Sequence, residues 1–119
     1  MTEIKNSKQY NLEDRTLEFS RRIRDFIKKI PRTIGNIEDG KQLVRSSGSV
    51  GANYIEANES LSKKDFVLRI KICRKEAKES RYWLNLIDVS GNQKEKEELI
   101  LEVTELMKIF GAIIEKTKI

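Results

Sequence analysis

The stretch Gln42-Leu43-Val44-Arg45-Ser46-Ser47-Gly48-Ser49-Val50-Gly51-Ala52-Asn53-Tyr54-Ile55-Glu56-Ala57 decides how this chain folds. Its centre, Ser46 to Gly51, reads as a loop on propensity, because each glycine costs a helix about 1 kcal/mol relative to alanine. Periodicity reads the other way. Leu43, Ser47, Val50, Tyr54 and Ala57 keep spacings of four and three straight through the glycines, which is one face of a helix. Small residues on an inner face also let two backbones approach closely. The pattern predicts a continuous helix that begins at Ile37 or Lys41 and runs to Asn58.

Working outward, the same spacing recurs on both sides. Upstream, Leu12, Thr16, Phe19, Ile23, Phe26 and Ile30 form a stripe. Asn11 suits the N-cap, Glu13 and Asp14 suit the first turn, and Pro31 closes the helix near Ile30. Residues 32–40 are read as a connector. Downstream, Ser62 and Asp65 make an approximate capping box. It precedes Phe66, Ile70, Cys73, Ala77, Ser80, Leu84 and Ile87, a stripe expected to end near Ser90, with Gly91 and Asn92 as stop residues. A second seam (Ile72, Glu76, Glu79, Trp83, Leu86) gives this helix more than one neighbour. A last helix runs from about Lys94 to Lys116 on Leu99, Val103, Leu106, Phe110 and Ile113. Four long helices with short connections predict an all-α, antiparallel up-down-up-down four-helix bundle. Residues 1–10 are expected to be a flexible tail and residues 11–119 a single domain.

Composition agrees. Of 119 residues, 38% are hydrophobic and 36% charged. Long helices with wide wet faces accommodate that much charge more easily than a compact globule does. No apolar run reaches the ~20 residues needed to span a bilayer. One cysteine, Cys73, precludes an internal disulfide and fits a reducing, cytoplasmic setting. The net charge of +5 hints at an anionic partner.

Enzyme signals are weak. The chain has no histidine, which removes Ser-His-Asp and Cys-His catalysis and the Glu-x-x-His motif of di-iron bundles. Ser60-Leu61-Ser62-Lys63 matches Ser-x-x-Lys, and Gly48-Ser49-Val50-Gly51 matches the loop of KH domains. Both lack their structural setting, and a capped turn and close helix packing explain them. Glu98, Glu102 and Glu105 read as a solvated face, and Cys73 as a buried small hydrophobe. No catalytic residue, metal or cofactor is expected.

Two features remain. Lys64, Lys71, Lys75 and Lys78 align opposite the apolar stripe of the third helix, with Arg74 beside them, and the first helix adds Arg21, Arg22 and Arg24. Such residues suit phosphate contacts, although a wet helical face carries the same composition. The other feature is polar and sits where core or contact surface belongs. Arg45, Ser49, Asn53 and Glu56 occupy successive turns of the second helix, and Glu76 and Glu79 flank Trp83. Arg45 paired with the carboxylates of the third helix would satisfy them, within one chain or between subunits. Tyr54 and Trp83 are read as packing anchors, so base stacking is not expected.

The quoted stretch resembles the signature of the bacterial 23S rRNA intervening-sequence proteins. Ser62-Lys63-Lys64-Asp65-Phe66 and Glu76-Ala77-Lys78-Glu79-Ser80-Arg81-Tyr82-Trp83-Leu84 are similar to that family's next two blocks. Ala57 departs from the glycine of many members. The resemblance implies a helical second element, an up-down-up-down bundle and a homopentamer. The family is also similar to the accessory protein of diversity-generating retroelements, which binds reverse transcriptase and nucleic acid. The expected partners are therefore further copies of the chain, RNA or DNA, and possible protein partners such as a reverse transcriptase, with no membrane.

Overall fold

The computed structural model describes residues 11–118. The tail expected over residues 1–10 lies outside them. Four helices follow in order: α1 (Leu12–Ile27), α2 (Ile34–Asn58), α3 (Lys63–Leu86) and α4 (Gln93–Lys116). No strand occurs among the described residues. Sequential helices pack side by side and α4 closes back on α1, while α1 and α3 lie on opposite corners. This is the predicted four-helix bundle. No helix among the described residues is long and apolar enough to cross a membrane.

The caps explain the helix starts. Asn11 accepts from the Asp14 amide at 3.1 Å, and Ser62 accepts from the Asp65 amide at 3.0 Å. Each satisfies an amide that the first turn leaves without a helical partner. Three boundaries differ from the sequence reading. α1 stops at Ile27 because Pro31 has no amide and crowds the preceding turn. α2 starts earlier, at Ile34, because the side chain of Thr33 accepts from the Asn36 amide at 3.1 Å. α3 stops at Leu86. There Lys96 Nζ donates to the Ile87 carbonyl at 2.9 Å and the Asn85 carbonyl at 3.3 Å, taking up carbonyls the helix end leaves free. Gly91, at φ 82°, makes the turn into α4 in a backbone region that favours glycine.

The core is the predicted stripe: Phe19, Ile23 and Phe26 from α1, Leu43 and Val50 from α2, Ile70 and Leu84 from α3, and Leu99, Leu106 and Phe110 from α4 are all buried. The glycine-serine stretch is helical throughout. The α2–α3 seam is the most extensive in the bundle. There Ser46 and Ser80, both fully buried, share a hydrogen bond of 2.8 Å between their hydroxyls. Ser20 of α1 donates to the Ser47 carbonyl at 3.0 Å, and Gly51 passes against Thr16 of α1.

The α1–α4 seam is the slightest in packing and is bridged by charge. Arg15 holds Glu102 bidentately at 2.8 and 3.0 Å. Lys29 reaches Glu95 at 3.2 Å and Arg22 reaches Glu98 at 4.0 Å. Glu98 and Glu102 are thus a ladder against α1 rather than a merely solvated face, because the antiparallel register sets cations at one helical spacing opposite acids at another.

Candidate nucleic-acid interface

α3 sorts its charges by side. Its helix contains three acids, Asp65, Glu76 and Glu79. Asp65 sits in the first turn. Glu76 is buried, with 8% of its surface exposed, and both Glu76 and Glu79 turn toward α2. Arg45 of α2 meets Glu76 at 3.3 Å and also pairs with Glu79. Trp83 Nε1 donates to Glu79 at 2.8 Å. The Trp83 bond, reinforced by Arg45, holds the Glu79 carboxyl below its ordinary pKa. Donating to the Glu79 carboxylate raises the pKa of the Arg45 guanidinium in turn. Beside this group Arg69 donates to Asn53 Oδ1 at 3.0 Å, and Asn53 donates to the Ser49 carbonyl at 2.9 Å. Arg45, Glu76, Glu79 and Trp83 therefore come together within one chain, while Asn53 makes a separate α2–α3 contact with Arg69. Ser49 contributes only its carbonyl, and the Glu56 side chain stays exposed outside the network.

With the acids turned inward, the charges on the outer side of α3 between its first turn and Leu86 are all positive, set among the exposed side chains of Leu68 and Tyr82. Lys64, Lys71, Lys75 and Lys78 are all exposed and share one helical register. Among the described residues no carboxylate lies within ion-pair distance of Lys64, Lys71 or Lys78, and Lys75 approaches Glu76 at 3.7 Å. Arg74 is exposed on the flank toward α4, its guanidinium close to Gly111. Near the start of α3, Lys63, Lys64 and Lys71 rim an open recess of about 500 Å³ floored by Val67, Leu68 and Thr117.

The arginines predicted on α1 do not join this row, since α1 occupies the opposite corner. Arg22 faces Glu98. Arg24 donates to the Ser20 carbonyl at 3.5 Å and lies near Gly48. Arg21 is exposed. The sequence reading took them as one set, and the fold divides them between two faces.

Two residues escaped the sequence reading. Asn36 is buried and spends its whole amide on two connections: Nδ2 donates to the Pro31 and Asp88 carbonyls, each at 2.9 Å, and Oδ1 accepts from the Asp88 amide at 3.0 Å. It pins the α1–α2 connection to the α3–α4 connection. Tyr82 is the other. The expectation that aromatics serve packing holds for Tyr54, whose ring lies 6.2 Å from that of Phe110, whereas Tyr82 is 58% exposed.

Nothing here resembles a catalytic centre. Cys73, the one thiol, is buried, and burial pushes its pKa up to about 12, far from a reactive thiolate. Among the described residues no three His, Cys, Asp or Glu side chains are grouped to hold a metal. A second open cleft, of about 400 Å³, lies between the end of α1 and the start of α2, lined by Ile27, Ile30, Pro31, Ile37 and Val44 with Arg32 and Lys41 at its edge. It contains no nucleophile or acid-base pair.

Fold and surface together define a small four-helix bundle with a lysine row along the outer side of α3. The chain belongs to the 23S rRNA-intervening sequence protein family, whose profile matches residues 8–112. It is also similar, at 33% identity and a TM-score of 0.75, to a protein of unknown function from the S23 ribosomal protein family of Bacteroides thetaiotaomicron VPI-5482, known from a crystal structure at 1.70 Å resolution. That similarity covers 86% of this chain and 96% of the other. No functionally curated protein matches.

Proposed function

We propose that this protein is a non-enzymatic, self-associating bundle of the bacterial cytoplasm that binds RNA through the outer face of α3. One observation carries the reading: Lys64, Lys71, Lys75 and Lys78 line one exposed side of a helix whose central acids are both engaged by α2. A cation row of this kind attracts a phosphate backbone without reading its sequence, and binding then falls steeply with salt. Self-association is assigned to the neighbouring outer face of α2, where Gly48, Ser49, Ala52 and the half-exposed Ile55 leave a low surface for a second copy.

The test is fluorescence anisotropy with a labelled RNA across a salt series. Each phosphate contact adds about 0.7–0.9 to the slope of log affinity against log salt, so Lys71→Glu/Lys75→Glu/Lys78→Glu should flatten it by about 2–3, while Arg21→Glu/Arg24→Glu should change it far less. Equal effects from the two variants, or an affinity no better than that of a charge-matched control, would refute the α3 face. Half-exposed Leu68 and Leu86 on the same side of α3 favour a second reading, an adaptor whose main partner is another protein. It predicts salt-insensitive binding to that partner and no RNA affinity.

A further inference from the structure

Resting on the RNA-binding reading of α3, we propose that this face takes single-stranded RNA, with Tyr82 as a stacking platform for one base at the end of the lysine row. Tyr82 follows Lys78 by one helical turn and shares the register of Lys64, Lys71 and Lys75. It lies about 6 Å beyond Lys78 along the helix axis, at ~1.5 Å per residue. A nucleotide with its phosphate on Lys78 therefore has its base within reach of the ring.

The ring is exposed but not loose. It meets Trp83 edge-to-face, with centroids 5.0 Å apart and planes at 75°. Contact of this kind occupies one ring face at most, leaving π-surface for a third ring. Trp83 is itself fixed by its bond to Glu79, and Glu79 by Arg45 of α2. The platform is thus braced through two side chains to a neighbouring helix, so a base stacking on it orders little that is not already ordered. Its solvent exposure of 58% leaves the ring open to a ligand.

Cations beside an exposed aromatic distinguish strand types. A duplex keeps its bases paired inside and can offer the row only phosphates, whereas a single strand offers phosphates to the lysines and an unstacked base to the tyrosine. The preference is for base over no base, and any base serves, since each has a π-face.

The experiment compares three RNAs of about 12 nucleotides, within the usual site size for such binding: a single strand, its duplex, and a strand with the same phosphates but abasic sugars. Each is titrated into the full chain and into Tyr82→Ala, Tyr82→Phe and the triple lysine-to-glutamate variant. The full chain should bind the base-bearing strand about fivefold to tenfold tighter than the abasic one, the low end for loss of one stack. Tyr82→Ala should erase that ratio and leave duplex and abasic affinities unchanged, while Tyr82→Phe should keep it. Emission from Trp83, the chain's single tryptophan, should be quenched by the base-bearing strand alone. If Tyr82→Ala leaves the ratio intact while the triple variant weakens all three RNAs, stacking is refuted and the basic face survives. If the triple variant changes nothing, both readings fall.

Discussion

Gly48 and Gly51 stand three residues apart in α2 and should respond in opposite ways to alanine. In a helix interior the substitution alone gains about 1 kcal/mol. At Gly48 the nearest atom to an added Cβ within the chain is a flexible guanidinium tip of Arg24 at 4.0 Å, so Gly48→Ala should keep the whole gain in the monomeric bundle. At Gly51 the Cβ would lie 2.8 Å from Thr16 Oγ1 and 3.2 Å from Thr16 Cβ. Thr16 is fully buried, and its hydroxyl is held on the Leu12 and Glu13 carbonyls at 2.7 and 3.1 Å. It cannot swing aside, so α1 has to move, at an overpacking cost of about 1–3 kcal/mol. Gly51→Ala should therefore destabilise the bundle by about 1 kcal/mol, leaving a gap of about 2 kcal/mol between the two variants.

Urea denaturation followed by far-UV circular dichroism measures that gap directly, and in thermal melts each kcal/mol should shift the midpoint by roughly 3–6 °C at this chain length. Thr16→Ala removes the nearest clashing atom, so Gly51→Ala should cost far less in that background, a coupling of about 1 kcal/mol. If Gly51→Ala is as stabilising as Gly48→Ala, or its cost is unchanged in the Thr16→Ala background, close approach is not why glycine sits there.

Two further predictions concern the polar side chains. Asn36→Ala should cost about 2 kcal/mol by leaving groups of both connections unpaired, and hydrogen exchange at the Asp88 amide, which donates to Asn36 Oδ1 at 3.0 Å, should accelerate; an unchanged exchange rate would refute the pinning role. The depressed pKa of Glu79 means that its contribution to stability is present above the ordinary glutamate value of ~4.3 and is lost as pH falls through the lower folded value. Emission from Trp83 should accordingly stay constant down to that ordinary value and change only below it, and a transition at or above it would contradict the network.

Much of this architecture is legible in the sequence because burial at helical spacing leaves a plain trace. The stripe from Phe66 to Leu84 and the Ser62 cap need no knowledge of the rest of the fold. The stripe misleads where it continues past the helix: Ile87 is buried but lies beyond α3, since spacing reports what is covered and not the backbone that covers it. Thr33 was passed over because Thr-Ile-Gly-Asn has the composition of a connector, although one hydroxyl suffices to cap a helix. Asn36 could not be found by inspection, because its value depends on Asp88 lying beside it across 52 positions. The Arg45 network was half legible. Residue types and turns identified the members, but only the packing of α2 against α3 places the contacts within one chain. Tyr82 was hidden by a sound default, that aromatics on a helix serve its core.

The surface charge follows from how the seams are closed. Of the acids on α4, Glu98 and Glu102 face cations of α1 and Glu95 faces Lys29 just beyond its end, and the central acids of α3 face Arg45 of α2. Both seams withdraw carboxylates from solvent, but they differ in what they leave outside. The α1–α4 seam consumes cations and acids one for one. The α2–α3 seam sets one arginine against two carboxylates, so of the outer lysines of α3 only Lys75 approaches one of them, Glu76 at 3.7 Å. The outer face of α3 therefore keeps Lys64, Lys71, Lys75 and Lys78 exposed with no acid among them. Arg45 then has two effects that need not separate on mutation. It stabilises the seam, and it keeps Glu79 from lying against the lysines one turn away, where a carboxylate would lower the local positive potential.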